Sequence, residues 1–207
     1  MTAKSDIIVV GAGPAGCAVA RAYALDGKKV VLLEAEAEGK SRKRFAGEWL
    51  HPQGVDALKS LGFDSITSMQ GRPQGRGFVV YPGHGELPVK LDYVEGQRGL
   101  AFHHGDLVDE MRQIVAQTEG VTFRYGVRVG SVDDQGVTLE SGERLEADRV
   151  VGADGRSSVV RRSLRGSGNH KAMSAMTGIL LEGVKAPYPD YGHVFLGKPS
   201  FLLGYEI

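Results

Sequence analysis

The run Ile7-Ile8-Val9-Val10, followed at once by Gly11-Ala12-Gly13-Pro14-Ala15-Gly16, leaves the chain few folds to choose from. Four consecutive β-branched residues suit a central parallel strand buried on both faces. Pro14 fits the first turn of a helix, where its missing N–H costs nothing, and residues 15–25 are rich in helix formers until Asp26-Gly27. Val30-Val31-Leu32-Leu33 then repeats the buried-strand pattern and ends at Glu34. Strand, glycine turn, helix, strand and terminal acid make a complete βαβ unit of the dinucleotide-binding type.

Each glycine of the turn answers a separate demand. Gly11 allows the tight turn, Gly13 lets the backbone approach a pyrophosphate, and Gly16 allows the helix to pack closely on the strand. The helix N-terminus offers N–H groups and a partial positive charge to an anion. Glu34, about 20 residues beyond the motif, can accept ribose hydroxyls and would repel a 2′-phosphate. NAD and FAD satisfy these residues equally.

Composition narrows the partners. The 207 residues carry 25 Lys+Arg against 25 Asp+Glu, so the electrostatic footprint of a nucleic-acid or anionic-membrane binder is missing, and no nucleic acid is expected. Cys17 is the single cysteine and can form neither an internal disulfide nor, alone, a thiolate metal site. Inside the first helix it reads as a small buried hydrophobe. His103 and His104 are adjacent, so their side chains diverge; no metal is expected. The apolar run from Ile7 to Ala20 is broken by the glycine turn, unlike a secretory signal, and no stretch of about 18 apolar residues occurs. The expectation is a soluble, cytoplasmic protein.

Residues 35–50 are polar and basic, with Lys40, Arg42, Lys43 and Arg44 close together, and predict a loop. His51–Leu61 predicts a helix; Gly77–Tyr81 and Leu87–Tyr93 predict antiparallel strands about the Pro82-Gly83 turn. Leu107, Met111, Ile114 and Val115 recur at helical spacing within 104–118. Glycine-punctuated short strands from Val121 to Gly142 predict a β-meander, and Leu145–Val151 a further strand. Arg156–Arg165 reads as a short helix or loop, and Gly178–Val184 and Phe195–Ile207 as strands.

Three segments add a resemblance. Arg44-Phe45-Ala46-Gly47-Glu48-Trp49-Leu50, with Pro52, Gly54, Leu58 and Leu61-Gly62, resembles the R-x-x-G-E-x-L-x-P-x-G-x-x-x-L-x-x-L-G stretch of squalene epoxidases (squalene monooxygenases). Ala101-Phe102-His103-His104-Gly105 with Arg112 resembles that family's A-F-H-H-G segment and its trailing arginine. Ala153-Asp154-Gly155-Arg156-Ser157-Ser158, with Arg161, is similar to the A-D-G-x-x-S-x-x-R signature of FAD-dependent hydroxylases.

The resemblance runs in order along nearly the whole chain. It implies an α/β fold: a Rossmann-like FAD-binding domain of the GR2 type, three-layered with a β-meander, plus part of a substrate-side antiparallel sheet. The FAD domain would span 1–165, with substrate-side strands inserted near 72–98, and 166–207 would belong to the substrate-side sheet. The implied activity is insertion of one oxygen atom of O2 into a hydrophobic small molecule, by epoxidation or hydroxylation through a flavin hydroperoxide. NAD(P)H or a reductase would supply electrons. By position, the resemblance puts Pro14 and Ala15 at the pyrophosphate, Glu34 and Ala35 at the adenosine ribose, Arg44 and Trp49 along the FAD, and Arg112, Val127 and Arg128 near the dinucleotide. Asp154 either joins the flavin site or caps the following helix. No catalytic residue is assigned.

Some positions depart from the pattern. Phe78 stands where the family shows a tyrosine, and Asp106 where it shows a basic residue. The family's second flavin motif, a Gly-Asp pair followed by His-Pro-Leu, is not among these residues. A downstream segment or partner chain is therefore expected to complete the site, and the 207 residues alone are not expected to sustain oxygenation. A halogenase or reductase of the same fold, or a non-catalytic dinucleotide-binding module, are the alternatives.

Overall fold

The computed structural model describes residues 4–39, 47–68, 70–83, 85–165 and 173–207. The elements begin with β1 (Ser5–Val10), α1 (Pro14–Leu25), β2 (Val30–Leu33), β3 (Gly47–Leu50), α2 (Pro52–Ser60) and α3 (Asp64–Thr67). Next come β4 (Gln74–Gly75), β5 (Gly77–Tyr81), β6 (Val89–Asp92), β7 (Gly99–His103), α4 (His104–Ala116) and β8 (Val121–Arg124). β9 (Val129–Asp133), β10 (Gly136–Leu139), β11 (Arg144–Gly152), α5 (Val159–Arg165), β12 (Tyr191–Phe195) and β13 (Leu202–Gly204) complete the chain. They fall into two units: residues 1–44 with 105–177, and residues 45–104 with 178–207. The second unit thus takes in more of the chain than the strands expected near 72–98.

In the first unit the strand order is β8-β2-β1-β11-β10-β9. β1 pairs in parallel with β2 and β11, setting Val10 opposite both Leu33 and Gly152. β11 serves two partners: its Ala147–Gly152 portion runs parallel to β1, while Arg144–Glu146 pairs antiparallel with β10. β9, β10 and the start of β11 form the expected meander. β8, expected within it, lies instead beside β2, Val121 opposite Val30. The connection through α4 explains this, because a crossover returns a strand parallel to its neighbour.

Alternation along the strands sorts the core into two faces. Ile8, Val10 and Leu33 pack with Val129, Val137, Leu139 and Leu145 of the meander and Val160 of α5. Val9 and Leu32, fully buried, point the other way. α1 packs on β1 and β2 through the small residues Gly16, Cys17, Ala20 and Ala24, which bring its axis close to the sheet. Helices, parallel sheet and meander are the three layers expected.

The second unit holds a four-stranded sheet, β13-β12-β5-β6, and a three-stranded one, β3-β7-β4. Two expectations change here. The end of the 35–50 run is a strand rather than a loop, because β3 finds an antiparallel partner in β7, Trp49 opposite Ala101. Residues 178–184 form no strand; Ile179 and Val184 are exposed, and an apolar run with no strand to pair with does not become one. Of the strand expected at 195–207 only β13 (Leu202–Gly204) forms, antiparallel to β12, which precedes that run and ends at Phe195, opposite Leu202. Among the described residues no helix is long and apolar enough to cross a membrane.

Burial pushes the Cys17 thiol up to about 12 from its ordinary 9.0, with the Arg112 charge opposing the shift. Between those values the unfolded chain holds fewer protons than the folded one, so this group's contribution to stability declines as pH rises through that window. Iodoacetamide at mildly alkaline pH should leave Cys17 unlabelled in the native protein and modify it on unfolding in urea. Rapid native labelling would show that α1 does not close over its thiol.

Candidate functional site

The turn after β1 is set by what its glycines touch. Gly11 has φ +95, and a Cβ there would lie 2.5 Å from the Ala153 carbonyl oxygen. A Cβ on Gly16 would lie 1.8 Å from the Gly11 oxygen, so α1 sits directly on the turn. Gly13 differs: its backbone is ordinary extended chain, φ −76 and ψ −176, and a Cβ there meets nothing within 4 Å. Neither the turn nor the helix packing needs a glycine at 13, where a Cβ would project into the open space in front of α1. Pro14 opens the helix, with no capping side chain and no acidic residue in the first turn, so its N-terminal partial charge is left for an anion. Ala15 follows in that first turn.

Glu34 and Arg112 hold the turn from behind. Ala12 N–H donates to Glu34 Oε2 at 2.9 Å, Arg112 Nε donates to the Ala12 carbonyl at 2.8 Å, and Arg112 Nη2 donates to Glu34 Oε2 at 2.7 Å. Glu36 N–H donates to Glu34 Oε1 at 2.9 Å. Both charged residues are buried, Glu34 at 8% and Arg112 at 4% exposure. The backbone N–H and C=O of Ala12 therefore both face inward, tied to the end of β2 and to α4. Glu34, expected as a carboxylate free for ribose, has both oxygens engaged by the protein, and Oε1, with one such partner, has the greater acceptor capacity left. Arg112 Nη1 is buried with no hydrogen-bond partner among the described residues. A buried orphan donor on a cation, beside a helix N-terminus and an empty Cβ direction, is the arrangement a diphosphate completes. The residues present fit a dinucleotide.

The remaining expected residues divide. Ala35 is exposed just past Glu34. Val127 N–H donates to the Glu34 carbonyl at 2.8 Å, which places it at the same strand end. Arg128 faces the meander, 3.7 Å from Glu140 and 63% exposed. Asp154 caps α5, accepting from Val159 N–H and from the Ser158 hydroxyl, each at 2.6 Å; its Cα lies against Gly11. Arg44 lies outside the described residues. Trp49 belongs to the second unit. The inward backbone N–H and C=O of Ala12, and Tyr125, whose ring lies 5.9 Å from the Arg112 guanidinium, were not foreseen. Burial, opposed by Arg112, pushes the Tyr125 phenol up to about 12. Backbone donors carry no sequence signal, and Tyr125 stands in an ordinary strand-end position.

In the second unit, aromatic rings rest on glycines. A Cβ on Gly75 would lie 1.9 Å from Trp49 Cζ2, and one on Gly192 would lie 2.4 Å from the Phe78 ring. Trp49 lies 5.2 Å from Phe78 and 5.4 Å from Tyr205 between ring centroids. Trp49 Nε1 donates to the Tyr93 hydroxyl at 2.8 Å, and that hydroxyl lies 2.7 Å from His51 Nδ1. Nearby, His104 Nδ1 pairs with Glu48 Oε1 at 2.6 Å.

A parallel sheet backed by a meander, with an anion-ready turn at the end of its central strand, defines a Rossmann-type dinucleotide-binding protein. The chain belongs to the FAD-binding domain family, whose model matches residues 4–201, and its cofactor is FAD. It is 31% identical over 222 residues to squalene epoxidase 3 of Arabidopsis thaliana, covering 100% of this chain and 42% of that protein. It is 28% identical to the squalene monooxygenase of Mus musculus, covering 98% of this chain and 37% of that protein. The chain thus spans about two fifths of the length of these curated relatives. Among solved structures, a variant of 2-methyl-3-hydroxypyridine-5-carboxylic acid oxygenase superposes with a TM-score of 0.66 at 29% identity, covering 78% of this chain and 42% of that one.

Removing one partner of a buried pair strands the other, at about 3–5 kcal/mol. Arg112→Met should lower the urea-unfolding free energy by about that much, and adding Glu34→Gln should recover part of it by removing the stranded charge. Equal stability of the single variant and the parent would show that the pair does not anchor the turn.

Proposed function

We propose that this chain serves an FAD-dependent monooxygenase reaction that inserts one oxygen atom of O2 into a hydrophobic small molecule, with electrons from NAD(P)H or a reductase. The diphosphate lies against Gly13, Pro14 and Ala15, where the α1 N-terminus favours negative charge, and Arg112 Nη1 donates to it. Glu34 Oε1 and the backbone at Ala35 receive the adenosine ribose. FAD, when bound, carries electrons to O2 and delivers the oxygen atom; the protein's share is to bind the cofactor, orient it and exclude water. The buried unpartnered Nη1 of Arg112 carries this reading for the cofactor. For the reaction, support comes from the relatives named as squalene epoxidases and from the oxygenase among the structural neighbours.

Gly13→Ala tests the site separately from the fold. Its Cβ meets no neighbour, and the loss of a glycine N-cap is offset by the stiffer unfolded chain, so stability should stay within about 1 kcal/mol of the parent. The methyl group would stand where the diphosphate must approach, so FAD affinity, followed by flavin absorption, should fall by about tenfold or more. Undiminished FAD binding by this variant would overturn the placement.

A further inference from the structure

Resting on the placement of the diphosphate above, we propose that Tyr125 is a positioning residue for Arg112, its ring holding the guanidinium in the attitude that serves the diphosphate of FAD. Arg112 is gripped by hydrogen bonds along one edge. Nε donates to the Ala12 carbonyl and Nη2 to Glu34 Oε2, and a planar group held in this way can still rock about the line through those two nitrogens. Rocking displaces Nη1, which has no hydrogen-bond partner among the described residues. The guanidinium carbon lies over the Tyr125 ring, 5.9 Å from its centroid, within reach of a cation–π attraction. That attraction acts on the body of the cation rather than on its bonded edge, and so opposes the motion that the two hydrogen bonds permit.

The ring and the carboxylate are carried on one framework. Glu34 N–H donates to the Arg124 carbonyl at 2.9 Å, and Val127 N–H donates to the Glu34 carbonyl at 2.8 Å. Both backbone polar groups of Glu34 are thus bonded to the stretch that contains Tyr125. The Phe123 ring, two residues earlier, stacks on Tyr125 with centroids 4.1 Å apart, which restricts how the tyrosine can turn. The end of β2 supplies the counter-charge and the end of β8 the ring, and Arg112 reaches both from α4. Burial raises the Tyr125 phenol first; Arg112 opposes the shift, and Glu38 and Asp109 add to it. The group is therefore protonated at neutral pH, and Arg112 meets a neutral ring face that phenylalanine can equally provide.

The intact chain is titrated by calorimetry near neutral pH with ADP and adenosine, which differ by the 5′-diphosphate alone, while FAD binding is followed by flavin absorption. The parent should bind ADP about tenfold or more tightly than adenosine. Tyr125→Leu removes the ring, and ADP and FAD affinities should fall about three- to tenfold, with adenosine affinity held to within about twofold. Tyr125→Phe should keep the parent affinities for all three. In the Arg112→Met/Glu34→Gln protein, where no cation remains to be positioned, Tyr125→Leu should leave ADP affinity unchanged. Undiminished ADP binding by the leucine variant would overturn the proposal. So would equal losses toward ADP and adenosine, the mark of a disturbed strand end, or a loss in Tyr125→Phe as large as in Tyr125→Leu, which would assign the effect to the hydroxyl. Urea unfolding of each variant keeps folding apart from binding. If the double-variant background does not fold, the phenylalanine–leucine contrast with the two ligands decides the question. A parent that binds FAD without preferring ADP to adenosine strikes the placement of the diphosphate and takes this proposal with it, whereas a preference that Tyr125→Leu leaves intact strikes the positioning role alone.

Discussion

A buried ion pair organises the first unit. Arg112 and Glu34 come from a helix and a strand end far apart in sequence, and they meet at the backbone N–H and C=O of one residue, Ala12. Such a pair is a weak source of net stability, because desolvation of both charges offsets most of their attraction. Its value is positional. By holding both backbone polar groups of Ala12 inward it fixes the direction in which Gly13 and the start of α1 face, and the same cation keeps one donor, Nη1, buried without a partner among the described residues. Ala12, occupying an unspecified position of the glycine motif, is the hinge on which this depends.

The glycines complement that arrangement by closeness rather than charge. Gly11 and Gly16 are needed because β11's continuation and α1 both press on the turn, while a Cβ on Gly13 would meet nothing. One motif therefore contains two glycines that packing requires and one that it does not, and only the structure separates them. The same division appears in the second unit, where glycines beneath Trp49 and Phe78 fix the height of aromatic rings rather than a backbone conformation.

Much of the first unit was legible because its signals are local. The unbroken run at Ile7–Val10, the glycine turn and the acid at Glu34 each constrain their own neighbourhood, and the amphipathic spacing from Leu107 to Val115 marks α4 directly. What escaped depends on pairing at a distance. β3 is four residues of mixed polarity that become a strand only because β7 lies alongside, and 178–184 has strand-like composition with no partner. β8 looked like its meander neighbours, and its parallel placement follows from the crossover before it. Glu34 was legible as a carboxylate at the end of β2, but not as one already bonded to Arg112, since nothing in the spacing of the two residues brings them together. Asp154 was legible as a cap or a ligand, and the hydrogen bonds of α5 express the first of these.

β11 belongs to both the parallel sheet and the meander, and the chain leaving it delivers the Ala153 carbonyl onto Gly11. A slip of one residue along this strand would turn Leu145 and Ala147 to the opposite face and, in the same movement, shift the chain that presses on the turn. The turn proposed to receive the dinucleotide is thus assembled only by a correctly registered strand, and on that proposal a misthreaded chain would forfeit its cofactor together with its core. Binding competence is in this sense a proofreading signal, by which properly folded molecules could be told from near misses that differ by a single step.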